Sequence, residues 1–116
     1  MKSLLFVFTV IILDMLGCGP RRYHEENYLN VNAIEVIIDN TNGARGNISV
    51  TSNLNWDIIK KYGGEWLDVH PQSGNGNDDI IIIAKSSNES IYDRSCILIV
   101  YSEDIQRKVV VTQMGK

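Results

Sequence analysis

The chain predicts an all-β fold, a two-sheet antiparallel sandwich of immunoglobulin-like size with about seven strands. Three observations carry that expectation. From Tyr28 onward, short runs rich in β-branched residues alternate with clusters of Asn, Gly, Asp and Ser. Helical spacing of apolar residues fits none of these runs well. Proline stands only at positions 20 and 71, so no run is broken from within.

The first run is Ala33 to Ile38, and the polar stretch from Asp39 to Asn47 reads as a loop. Ile48 to Thr51 alternates apolar with hydroxyl residues. Leu54 to Ile59 alternates again, with Leu54, Trp56 and Ile58 on one face. Lys60-Lys61 and Gly63-Gly64 end that run. Trp66 to Val69 is a short strand closed by Pro71. Gln72 to Asp79 holds only polar residues and glycine, and reads as an exposed loop that buries nothing. Ile80 to Ala84 is a continuous apolar strand, and Ser86 to Ser90 is a polar loop. Arg94 to Tyr101 and Arg107 to Thr112 are the last strands, joined through Ser102-Glu103-Asp104.

The N-terminal segment has a different grammar. Lys2 precedes ten apolar or near-apolar residues, Leu4 to Leu13, and Cys18 follows Gly17. A ten-residue helix rises about 15 Å, half of what a membrane span needs. The pattern is that of an export signal. With a cysteine directly after the cut it resembles a bacterial lipoprotein signal. That resemblance implies a removed segment over 1–17, a lipid on the Cys18 thiol, a tether over 18–28 and a domain over 29–116. It also implies an exported outer-membrane or cell-surface lipoprotein, with the membrane as partner through its lipid.

Of the 116 residues, 11 are basic and 14 acidic, a net charge of −3 that lacks the basic footprint nucleic acid requires. Removing 1–17 takes away one cation (Lys2) and one anion (Asp14), so the balance holds. Cys96 stands among Ser95, Ile97, Leu98 and Ile99 and reads as a small buried hydrophobe rather than a nucleophile. His24 and His70 have no partner at metal-ligand spacing, and Asp78-Asp79 read as a solvated turn, so no metal site is expected. No nucleophile elbow, phosphate-cradling glycine loop or zinc-protease helix motif occurs. The expectation is a chain with no catalytic residues and no cofactor.

Several spaced positions resemble one family. Asn55-Trp56-Asp57-Ile58 is followed by Glu65-Trp66-Leu67-Asp68-Val69, then Pro71, Ser73-Gly74 and Gly76. After the isoleucine strand come Asn88, Arg94 and Val111-Thr112-Gln113. In this order they resemble the BACON domain, a small β-sandwich common in secreted and surface proteins of Bacteroidetes, over about Ile34 to Gly115. The resemblance implies a non-catalytic module that binds a glycan or a mucin-type glycoprotein. A structural or spacer role, with contacts to another envelope protein, is the alternative.

Sugar rings stack on exposed aromatic planes, so the aromatics are the first ligand candidates. Trp56 alternates in phase with Leu54 and Ile58 and reads as core. Trp66 faces outward by strict alternation, although the resemblance implies a structural role for it. Tyr62, Tyr92 and Tyr101 lie near loops or strand ends. Arg94 opens a strand, where it can serve a ligand or the sheet edge; Gln113 reads as a partner for backbone groups. The candidate ligand set is Trp66, Tyr62, Tyr92 and Arg94. Ile80 to Ile83 and Cys96 to Val100 are apolar on both faces. Strands of that kind are usually covered on both sides, whether by the tether or by a partner; otherwise the surface is unusually apolar.

Overall fold

Alternation is what builds this molecule. In strand after strand every second residue is apolar and buried, and the rows so formed close on one another. The computed structural model describes residues 26–116. The segment 1–17, Cys18 and most of the tether lie outside the described residues. The strands are β1 (Leu29–Val31), β2 (Glu35–Ile38), β3 (Arg45–Ser52), β4 (Asn55–Lys61), β5 (Leu67–His70), β6 (Ser73–Asn75), β7 (Asp78–Ala84), β8 (Arg94–Ser102) and β9 (Ile105–Gln113). The fold is all-β, with no helix among the described residues.

Two sheets form the expected sandwich. One has the order β1-β3-β7-β5 and the other β2-β9-β8-β4-β6. Between them lie Ile48, Val50, Leu67, Val69, Ile80 and Ile82 from the first sheet. Trp56, Ile58, Leu98, Val100, Val109 and Val111 meet them from the second. Burying each such side chain contributes roughly 1.5–3 kcal/mol, which makes this layer the main source of stability. Cys96 is fully buried in it, as its neighbours suggested.

The structure corrects three expectations. Nine strands lie among the described residues, rather than about seven. The additions are β1 and β6, three residues each and too short to show a period. Second, the sandwich is not wholly antiparallel, because β2 runs parallel to β9 from Glu35↔Val110 to Ile38↔Gln113. Third, Gln72 to Asp79 is not simply a loop. Ser73–Asn75 pairs with β4, and Gly74 lies half-buried on Trp56. A glycine packs there because it has no side chain to displace the indole.

Topology gives the sandwich two different ends. The chain enters beside Asn53, whose side-chain amide donates to the Glu26 carbonyl. Leu29 then pairs with Ser52. The turns Ser52–Asn55 and Ser102–Ile105 share this entry end, since Ser102 pairs with Ile105 and Tyr101 with Asp57. At the distal end lie the β4–β5 connection, the long β7–β8 connection and the C-terminus, because Lys61 pairs with Ile97 and Arg94 with Gln113.

Candidate functional site

All four ligand candidates fall at the distal end. Tyr62 follows β4, Trp66 precedes β5, Tyr92 lies in the β7–β8 connection, and Arg94 opens β8. Beyond that shared end they divide into two pairs.

Trp66 and Arg94 are engaged with each other. The guanidinium carbon lies 4.7 Å from the indole centroid, a cation–π contact, and the ring also packs against the core. The same guanidinium donates from Nε to Gln113 Oε1 at 2.8 Å. From Nη2 it donates to the carbonyls of Ser86 and Ser87 and to Ser86 Oγ. Gln113 is fully buried, and its amide donates to the carbonyls of Thr41 and Ser86. Serving backbone groups is what the sequence suggested for it.

Asn88 completes this network and was not singled out as a site from its chemistry. It is 5% exposed within a loop whose composition reads as solvated. Its amide donates to the carbonyls of Tyr92, Gln113 and Met114, and its oxygen accepts from Ser90 N. The only signal for it was its place in the family-like order of residues. In that role it ties the β7–β8 connection to the C-terminal strand, and buried polar groups of this kind are costly to leave unpaired.

Tyr62 and Tyr92 are the free pair. Their exposures are 76% and 72%. Tyr62 also has φ 63°, in the left-handed region that residues with a side chain seldom adopt. Ile91, beside Tyr92, is 75% exposed. Tyr101 lies toward the entry end and is half-buried, paired with Asp57.

Elsewhere the chemistry is quiet. Asp79 accepts from Ser49 Oγ at 2.8 Å, and Asp78 accepts from the Asp79 amide. Among the described residues no group of three His, Cys, Asp or Glu side chains could hold a metal ion. His70 and Lys85 lie 3.8 and 3.9 Å from Asp68, loose and solvent-exposed pairs. Burial pushes the Cys96 thiol above its ordinary pKa, against smaller opposing effects of the Lys61 carbonyl and Lys60. That keeps the sulfur protonated and unreactive. Near the β4–β5 gap a recess of about 300 Å³ is lined by Ile58, Ile59, Lys60, Val69 and Gln72. The Lys60 ammonium is already held by the carbonyls of Gly64 and Leu67.

The doubly apolar strands are buried on one face only. Ile80 and Ile82 are fully buried while Ile81 is 41% exposed. On β8, Cys96, Leu98 and Val100 are buried, and Ile97 and Ile99 lie half-buried on the outside.

No family model matches the chain, and no curated protein does. Among solved structures it is similar to a chain described as a Bacteroides ovatus GH5 xyloglucanase in complex with a XXXG heptasaccharide. The TM-score is 0.67 at 18% identity, over 77% of this chain and 19% of that one. The likeness is one of fold, and this chain spans about a fifth of that chain's length.

Proposed function

We infer that this chain is a non-catalytic, lipid-anchored module of the bacterial cell envelope, BACON-like in kind, that recognises an extracellular glycan or glycoprotein with its distal end. The observation that carries this reading is the separation of ends. The chain enters at one end of the sandwich, and Tyr62 and Tyr92 stand exposed at the other. A lipid on Cys18 would hold the entry end toward the membrane and present the two rings away from it. Two aromatic faces suit the C–H faces of sugars. Tyr62 keeps its place at a backbone cost that ordinary turns avoid, a trait that gathers at functional positions. The shared fold with part of a chain described as a xyloglucanase in complex with a heptasaccharide supports the same ligand class.

The nine described strands fall within Leu29–Gln113, so residues 19–116 carry both described sheets. That form, on an array that includes xyloglucan oligosaccharides and mucin glycans, should show retention that is lost in Tyr62→Ala and Tyr92→Ala without loss of fold. Absence of any glycan binding would refute the reading. Detergent-phase partition of the exported protein, lost in Cys18→Ser, tests the anchor.

The second reading is an assembly or spacer module that contacts an envelope protein. Trp56 is 1% exposed and Trp66 is stacked, so neither tryptophan offers a sugar platform, while isoleucines stand on the outside.

A further inference from the structure

The outer face of the five-stranded sheet carries an apolar stripe bordered by opposite charges. Ile99 on β8 pairs with Ile59 on β4, and Ile97 pairs with Val110 on β9. These four side chains point away from the core; Ile59 is 40% exposed and the other three are half-buried. The register extends the Ile97 row to both sides. Glu35 on β2 pairs with Val110, and Lys61 on β4 pairs with Ile97. One row therefore reads Glu35, Val110, Ile97, Lys61, with acid at one flank and base at the other. The opposite sheet has no such row: its outward Ile81 and Ile83 sit between Asn47 and His70, and between Arg45 and Asp68.

We propose that this face binds a second copy of the chain. A twofold axis lying between β8 and β9, nearly parallel to the strands, superposes the row on itself reversed. Val110 then meets the partner's Ile97, and Glu35 meets the partner's Lys61, twice over. Sheets pack face to face with their strands within about 30° of alignment, an offset that a Lys–Glu pair can span. Lys108, paired with Ile99, is the one charge inside the patch; its methylene stem lies along the partner's apolar surface with the ammonium at the rim.

The same axis keeps strand direction. Both chains thus enter at the same end of the dimer, and both distal ends point the same way. Two copies tethered to one membrane can form this contact without either turning over; this clause alone rests on the lipid anchor. From strand and residue spacings the patch covers roughly 350 Å² per copy. A stable dimer buries nearer 800 Å² per partner. The association is therefore weak and concentration-dependent, and confinement to a membrane surface favours it.

Sedimentation equilibrium of residues 19–116 tests it. Dimer should be detectable as concentration approaches the millimolar range, and Ile59→Lys should abolish it. Glu35→Lys or Lys61→Glu alone should weaken the dimer roughly fivefold or more, because attraction becomes repulsion at two places. The combined Glu35→Lys, Lys61→Glu exchange should restore it to within about twofold. Within one chain these residues stand three strand spacings apart, about 14 Å, so rescue can only act across the interface. A monomer at every concentration, a dimer indifferent to Ile59→Lys, or an exchange no better than the single reversals would overturn the proposal. Thermal melts confirm that each variant is folded. Glycan retention by Ile59→Lys and Glu35→Lys reports the distal-end reading separately; Lys61, which directly precedes Tyr62 at the distal end, is left out of that comparison.

Discussion

Gly74 lies flat against the indole of Trp56: a Cβ added to it would collide with Trp56 Cζ2. The indole has nowhere to retreat. It is 1% exposed, and its Nε1 donates to the Gly76 carbonyl at 2.8 Å. The edge strand β6 is thereby held on the sheet by a large core ring.

Gly74→Ala should therefore destabilise the domain by about 1–3 kcal/mol, the usual cost of overpacking a filled site. Urea denaturation followed by tryptophan fluorescence would show a lower midpoint with a similar slope. An unchanged midpoint would mean that β6 lifts away freely and that Trp56 does not depend on it.

Arg94 holds an edge of the sandwich with its planar fork. Its loss removes the stack on Trp66 and leaves Gln113 Oε1 without its donor. Arg94→Ala should cost about 1–3 kcal/mol. Arg94→Lys should recover little of that, since an ammonium cannot stack and fork toward Gln113 and Ser86 together. If the lysine variant matched the parent in denaturation, charge alone would be the contribution.

Asn88 offers a sharper contrast. Its amide meets three carbonyl oxygens, and its own oxygen accepts one amide. Asn88→Ala should cost about 1–3 kcal/mol through the buried groups it leaves unpaired. Asn88→Asp should be worse near neutral pH, because a carboxylate would face those carbonyls. Its folded-state pKa would rise, so stability should be regained below the ordinary carboxylate range and lost as pH climbs through it. Thermal melts at several pH values would show the crossing; a pH-independent difference from the parent would contradict it.

These residues also mark how far the sequence could be read. The sandwich was legible because period-two alternation survives in the long strands: Trp56 and Ile58 point inward as their spacing said. β6 was not, since Ser-Gly-Asn carries no apolar residue and is held by its partners. The parallel pairing of β2 with β9 was hidden too, because pairing direction is set by chain path rather than by local composition. Trp66 misled strict alternation because it precedes β5, whose register starts at Leu67. Composition could show that β7 and β8 are apolar on both faces. It could not show that one of those faces stays on the surface.

The Cys96 thiol should report on the integrity of the core. It is fully buried, and burial is the largest of the influences that raise its pKa. Native protein should resist alkylation at neutral pH and react at the rate of a free thiol only in denaturant. A raised folded-state pKa also has a sign for stability. The contribution is complete below the ordinary thiol pKa of about 8.5 and declines as pH rises above it, where the unfolded chain ionises first. Comparing Cys96 with Cys96→Ala across that window isolates the effect: only the parent should lose stability to thiol ionisation. Equal slopes would remove it.

Tyr62 sets stability against surface function. Its φ of 63° disfavours any residue with a Cβ, and 76% of its surface is exposed, so little packing compensates. Tyr62→Gly should leave the domain as stable as the parent or up to about 1 kcal/mol more so, the relief of strain being offset in part by the freer unfolded chain. Tyr62→Asn, which tolerates the left-handed region, should behave similarly. If the ring is a sugar platform, both variants should lose glycan retention while their melting temperatures hold or rise. A fall in melting temperature on either substitution would instead mean that the tyrosine ring supports the β4–β5 connection, and that its unusual backbone angle serves the fold.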